Sequence, residues 1–148
     1  MGWRTNMQGI GASDLALVVV SDFLWIGHVG ENRALLVREG RARHLVVPHT
    51  LGFQKGYRAA LREDPDLAMH AEAVTHVLGC GHEHIDVVRA PVSKGERVIL
   101  GNPGLQLLSE GDWMLDQLGA AELVERFVRE SRQKRPELPA SILVADLG

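Results

Sequence analysis

The stretch that most constrains this chain is Leu24-Trp25-Ile26-Gly27-His28-Val29-Gly30-Glu31-Asn32-Arg33-Ala34-Leu35-Leu36. Phe23 to Val29 is apolar and rich in strand formers, and Ala34 to Val37 resumes the apolar run. Between them, Gly30-Glu31-Asn32 tolerates turn geometry at low cost, so the stretch reads as strand, tight turn, strand. Leu15 to Val20 adds a strand before Ser21-Asp22, and Glu39-Gly40 offers the next turn. Three short strands joined by tight turns predict a β-meander, against which the rest of the chain must pack.

Arg41–Val46 alternates and is expected to be a half-exposed strand ended by Pro48, because proline cannot donate to a sheet ladder. Leu51–Arg62 reads as a helix weakened by Gly52 and Gly56, and a second short helix is expected over Asp66–Ala73, after Pro65. Ile85–Val92 and Arg97–Leu100 are strand candidates around the turn Ser93-Lys94-Gly95-Glu96. Ser109 reads as the N-cap of a helix running through Leu118. Gly119 separates it from a helix over Ala120–Arg135, in which Leu123, Val124, Phe127 and Val128 share one face. Ser141–Leu147 is a last strand. Strands first and helices grouped later predict an α+β domain rather than an alternating βα fold.

Bulk properties narrow the function classes. At 148 residues the chain is expected to be one domain, residues 1–148, with an irregular start over residues 1–8. It is 45% apolar and 24% charged with a net charge of −3, which gives no bulk signal for nucleic acid or a membrane surface. No apolar run approaches the roughly 20 residues of a membrane span. The single cysteine, Cys80, rules out an intrachain disulfide, and a cytoplasmic protein is expected. Gly9-Ile10-Gly11 lacks the third glycine and the preceding strand of a nucleotide loop.

Several motifs carry a family resemblance. His28-Val29-Gly30-Glu31-Asn32-Arg33-Ala34-Leu35-Leu36 is similar to the His-Val-Gly-Asp-Ser-Arg-Ala-Tyr-Leu signature of the metal-dependent Ser/Thr protein phosphatases, the PPM or protein phosphatase 2C family. The same order holds along the chain. His49-Thr50 lies in step with the family's Thr-Arg-Asp-His-Ser, and Thr75-His76-Val77-Leu78-Gly79 resembles its Thr-Arg-Ala-Leu-Gly, with His76 in place of the arginine. Gly101-Asn102-Pro103-Gly104-Leu105 stands where the family has Cys-Ser-Asp-Gly-Leu. The resemblance implies an antiparallel β-sandwich of the PPM type, without its opening strands and first helical pair, with the C-terminal helical pair packed on a sheet. It also implies a flap-like insert over residues 47–74.

The resemblance is to the scaffold rather than to the chemistry. The family hydrolyses phosphate esters with a water bridging two Mg²⁺ or Mn²⁺ ions, which need carboxylate oxygens. One family carboxylate lies in an Asp-Gly-x-Gly motif ahead of the segment matched here. The second is replaced by Pro103 and the third by Leu138-Pro139. Glu31, one methylene longer than the family's Asp, is not at a principal ligand position. Asp14, Asp22 and Glu31 are the remaining acids that turns could bring together. No catalytic or cofactor-binding residue is therefore carried over, and no cofactor is expected. The leading reading is a pseudophosphatase that acts through protein binding or regulation. A partner chain or a second copy would cover the apolar sheet face and open edges that the absent part leaves behind.

Two alternatives stay open. One is a Mg- or Mn-dependent phosphatase completed by another chain or an upstream segment. The other is a small metal-binding protein built on Cys80, His82 and His84, which alternate and so share one side of an extended segment, with a fourth ligand from His76 or elsewhere. His28, in a strand beside the turn, is expected to be a structural hydrogen-bonding residue.

Overall fold

The structure is a computed structural model and describes residues 12–53, 70–71, 73–79, 84–109, 115–134, 136–137 and 139–148. Among these residues the strands are β1 (Asp14–Val20), β2 (Phe23–Val29), β3 (Arg33–Arg38), β4 (Arg41–His44), β5 (Asp86–Pro91), β6 (Arg97–Gly101) and β7 (Ile142–Asp146), and the α-helix is α1 (Ala120–Lys134). All strand pairs are antiparallel and form two sheets, ordered β1-β2-β5 and β4-β3-β6-β7.

This order corrects the predicted meander. β1 and β2 form a hairpin through Ser21-Asp22, but β3 does not pair with β2. The chain instead leaves one sheet and enters the other at Gly30-Glu31-Asn32, a corner rather than a hairpin turn. The corner needs a glycine. Gly30 has φ +94°, and a Cβ there would run into the Ser13 side chain. Glu39 and Gly40 both have positive φ and close the true hairpin between β3 and β4.

β3 and β6 carry the core because apolar residues occupy both of their faces. Ala34, Leu36 and Val98 pack toward Leu24, Ile26 and Ala90 of the other sheet. Leu35, Val37 and Ile99 face the opposite way, onto Leu123 and Phe127 of α1 and onto Leu105, Leu108 and Leu115. Leu123 and Phe127, one helical turn apart, are fully buried. The fold is thus three layers: a three-stranded sheet, a four-stranded sheet and a helix. Of the two predicted C-terminal helices, α1 is the second. Before it a 3₁₀ helix spans Pro103–Ser109, and the start of the helix predicted from Ser109 lies outside the described residues. Leu51–Phe53 is likewise 3₁₀, while the rest of the two helices predicted over 51–73 falls mostly outside the described residues, as do residues 1–8.

Arg97 joins the middle sheet to the segment before α1. It is buried, donates to the carbonyls of Leu115 (2.7 Å) and Leu118 (2.6 Å), and makes a bidentate pair with Asp146 of β7 (2.5 and 3.0 Å). The hydrogen bonds from Arg97 hold the Asp146 carboxyl below its ordinary pKa. A depressed carboxylate pKa contributes stability that is present above the unfolded value, about 4, and is lost as pH falls below it. Wild-type protein is therefore expected to lose stability more steeply than Asp146→Asn from about pH 4 downward, with the two curves converging in acid. Urea unfolding followed at stepped pH checks this, and parallel curves would refute it.

Candidate metal centre

Four imidazoles and one carboxylate gather at the end of the sandwich where the chain changes sheets. His28, near the end of β2, stands directly opposite Asp86, the first residue of β5. His84 precedes Asp86 by two residues in an extended segment, which puts both side chains on one side. Its Nε2 lies 3.0 Å from Asp86 Oδ1. His49 enters from the loop after β4, with its Nε2 3.1 Å from Asp86 Oδ2. His76 follows Thr75, whose N–H donates to the His49 carbonyl at 2.8 Å, so this segment is registered against the same loop. Ring centroids are 4.8 Å apart for His28–His49, 5.1 Å for His49–His76 and 5.8 Å for His76–His84. His49, His76, His84 and Asp86 line one cleft of about 370 Å³, whose apolar walls are Val47, Pro48 and Phe53.

His49 is held on every side. Its N–H donates to the Gly30 carbonyl (2.8 Å), and its ring Nδ1 accepts from the Gly30 N–H (3.1 Å). With Nδ1 acting as acceptor, the hydrogen sits on Nε2 and is donated to Asp86. Burial alone would raise the Asp86 pKa, but the hydrogen bond from His49 and the nearby His49, His84 and His28 rings outweigh it and hold the carboxyl below its ordinary value. His28 is 1% exposed, and backbone groups of Asn32 and Gly30 lie against its ring. Burial first, and then the neighbouring His49, outweigh them and lower its pKa. The ligand atoms of His28, His49 and Asp86 all lie within 4.8 Å of one another.

The predicted site residues separate. Cys80 and His82 lie outside the described residues, and His84 joins Asp86, His49 and His76. Asp14 and Glu31 share one end of the first sheet, where the Glu31 N–H donates to Ser13 Oγ, while Asp22 is at the opposite end in the hairpin turn. The sequence reading missed His49 and Asp86. His49 stands in the family motif with Thr50, and Asp86 continues the alternation of Cys80, His82 and His84, and these were the available signals.

A second cleft, of about 430 Å³, lies where the resemblance puts the phosphatase metals. It is lined by Asp14, Asn32, Asn102 and Ser141 among others, and Asp14 is its one carboxylate among the described residues. Asp14 Oδ1 accepts from the Leu15 N–H at 2.8 Å. The Asn102 amide is also committed, donating to the Pro139 carbonyl and accepting from the Ser141 N–H at 3.4 Å. One carboxylate does not make a two-ion centre for hard cations, so these residues do not fit the family's Mg²⁺ or Mn²⁺ pair.

No protein-family model matches the sequence, and no curated protein matches it either. Solved structures do match. The serine/threonine phosphatase PstP/Ppp of Mycobacterium tuberculosis superposes with a TM-score of 0.72 at 19% identity, over 94% of this chain and 61% of that one. A serine/threonine phosphatase of S. agalactiae gives 0.76 at 16% identity, over 95% and 61%. The catalytic domain of PstP, solved in complex with two manganese ions, gives 0.71 at 18% identity, over 93% and 59%. The fold is therefore that of the PPM-type Ser/Thr phosphatases, and the chain spans about three-fifths of the length of these neighbours. The expectation of no cofactor is overturned on two counts. The fold holds metal ions in a solved neighbour, and this chain's own residues bring His28, His49 and Asp86 within reach of a single ion.

Because His49 serves Gly30 and Asp86 at once, His49→Ala is expected to leave a buried N–H without its acceptor and to cost about 1–3 kcal/mol. Urea unfolding measures this. A change below about 0.5 kcal/mol, the range of ordinary surface substitutions, would show that the bracket does not hold the corner.

Proposed function

We propose that this chain is a phosphatase-like domain that acts by binding protein instead of hydrolysing phosphate esters. The observation that carries the reading is the donor chemistry around Asn102. Pro103 and Pro139 occupy the loops that supply metal-binding carboxylates in the family, and an amide joins those loops here. With Asp14 as the one carboxylate lining that cleft among the described residues, two hard cations lack the oxygen ligands that would activate a bridging water. The single cysteine fits a cytoplasmic setting.

The outer face of β1-β2-β5 supports the binding half of the reading. Val18 (53% exposed), Val20 (56%), Trp25 (40%) and Val87 (69%) open to solvent on it. The register makes the patch continuous, with Val18 opposite Trp25 and Trp25 opposite Arg89. Arg89 lies over the Phe23 ring, 3.6 Å from its centroid. An apolar face of this kind supports a contact surface. A second copy is the occupant it suits, because a two-fold axis sets the same apolar patch against itself.

Two measurements on purified protein test the reading. Aryl phosphate hydrolysis with added Mn²⁺ is expected to show no turnover above the metal alone. Light scattering is expected to give a dimer or larger assembly that Trp25→Asp reduces to a folded monomer. Manganese-dependent turnover would overturn the non-catalytic reading, and a monodisperse wild-type monomer at high concentration would overturn self-association.

A further inference from the structure

The histidine cluster lies at a different set of residues from the Asn102 cleft and carries its own ligand chemistry. Three observations define it. First, His84 Nε2 and Asp86 Oδ1 are 3.0 Å apart. Two ligands each about 2 Å from one ion stand roughly 3 Å apart, so the pair is already at ligating separation. Second, His76 faces the same cleft with its ring centroid 5.8 Å from that of His84. Imidazoles that share a tetrahedral ion through nitrogen place their centroids roughly 5 Å apart, so the two rings would close by under about 1 Å around it. Third, each group is braced from behind. His49 Nε2–H donates to Asp86 Oδ2, which leaves Oδ1 turned toward His84, and His76 Nδ1 meets Thr75 Oγ1 at 3.0 Å, so that a ring donating from Nδ1 to this hydroxyl keeps the Nε2 lone pair for an ion. Partners of this type orient metal ligands.

His49 itself is excluded as a ligand by its tautomer. Its Nδ1 accepts from Gly30, so its Nε2 carries a hydrogen. Ligation through Nε2 would require moving that hydrogen to Nδ1, against the Gly30 N–H. This moves the site outward from the close trio of His28, His49 and Asp86 to the cleft side of the carboxylate.

We propose that His76, His84 and Asp86 bind one divalent ion of the borderline class, such as Zn²⁺ or Co²⁺, with His49 as a positioning residue and the remaining coordination position open to the cleft. Two nitrogens and one carboxylate oxygen suit such an ion better than Mg²⁺, which demands oxygen and near-octahedral geometry.

The test is titration of untagged protein with CoCl₂, read by the visible absorption of the bound ion, and with ZnCl₂ by calorimetry. One ion per chain is expected, with cobalt bands that excess Mg²⁺ leaves unchanged and Zn²⁺ abolishes. His84→Ala removes a side chain that is 67% exposed, so it keeps the fold while weakening binding at least 10-fold. His76→Ala and Asp86→Asn are expected to do the same. His49→Gln is expected to weaken binding by about 10–100-fold and to shift the cobalt spectrum, a change that a role in stability alone would not produce. The double variant Cys80→Ser/His82→Ala is expected to retain the site. Absence of binding in folded wild type would overturn the proposal. So would binding that survives His76→Ala and His84→Ala but is lost in the double variant.

Discussion

The bracket between Gly30 and His49 is the constraint on which the rest of the molecule depends. A sandwich whose strands are consecutive in sequence must pass its chain from one sheet to the other, and here it does so at a glycine with a left-handed backbone pressed against Ser13. That corner leaves an N–H and a C=O with no strand to pair them. His49 satisfies both, taking the N–H on its ring and giving its own N–H to the carbonyl. The other end of the ring reaches Asp86 and so fixes where β5 begins, while the His49 carbonyl fixes the Thr75 segment. One residue thus sets three chain segments around the cleft, which is why titratable groups distant in sequence converge there.

The same crossing explains the asymmetry of the two sheets. β3 and β6 lie between two cores, so their residues are apolar on both faces and the four-stranded sheet is covered on one side by the first sheet and on the other by α1. Among the described residues the three-stranded sheet is covered on one side. Its inner residues, Leu24, Ile26 and Ala90, are buried, while Val18, Val20, Trp25 and Val87 stay apolar on the outer face beside Arg89. An antiparallel sheet with one solvated face normally alternates apolar and polar residues. The outer face of β1 and β2 departs from that pattern, and the departure is the physical basis for reading it as a contact surface.

Much of the secondary structure was legible. β2 coincides with its predicted span, and the other strands differ by a few residues at their ends, because runs such as Val98-Ile99-Leu100 are bounded by glycines and charged turns that mark their limits. Sheet membership was not legible, since a glycine between two apolar strands serves a corner as well as a hairpin. Glu39-Gly40 and Gly30-Glu31 look alike in sequence, and only the packing of β3 against β6 separates them. The cleft was half legible. Local spacing singled out Cys80, His82 and His84 and extends by the same alternation to Asp86, yet His49 and His76 join them through tertiary contacts that no local spacing records. The motif resemblance had nevertheless placed His28, His49 and His76 at aligned positions.

Comparison of the two clefts shows how one scaffold can exchange its chemistry. In the resembled family, ions bound to aspartates cross-link the loop after β6 to the segment before β7. Here that cross-link is made by the Asn102 side chain, which donates to the Pro139 carbonyl and accepts from the Ser141 N–H, while the Asn102 N–H donates to the Ser141 carbonyl. A neutral amide satisfies backbone groups in both directions and requires no desolvation of a cation, so the loops close without an ion. Among the described residues this cleft keeps Asp14 as its one carboxylate. At the corner end, Asp86 sits among imidazoles that lower its pKa and orient it toward His84. Ligand chemistry depends on where charge is retained and braced, and in this chain that place is the corner cleft rather than the loops around Asn102.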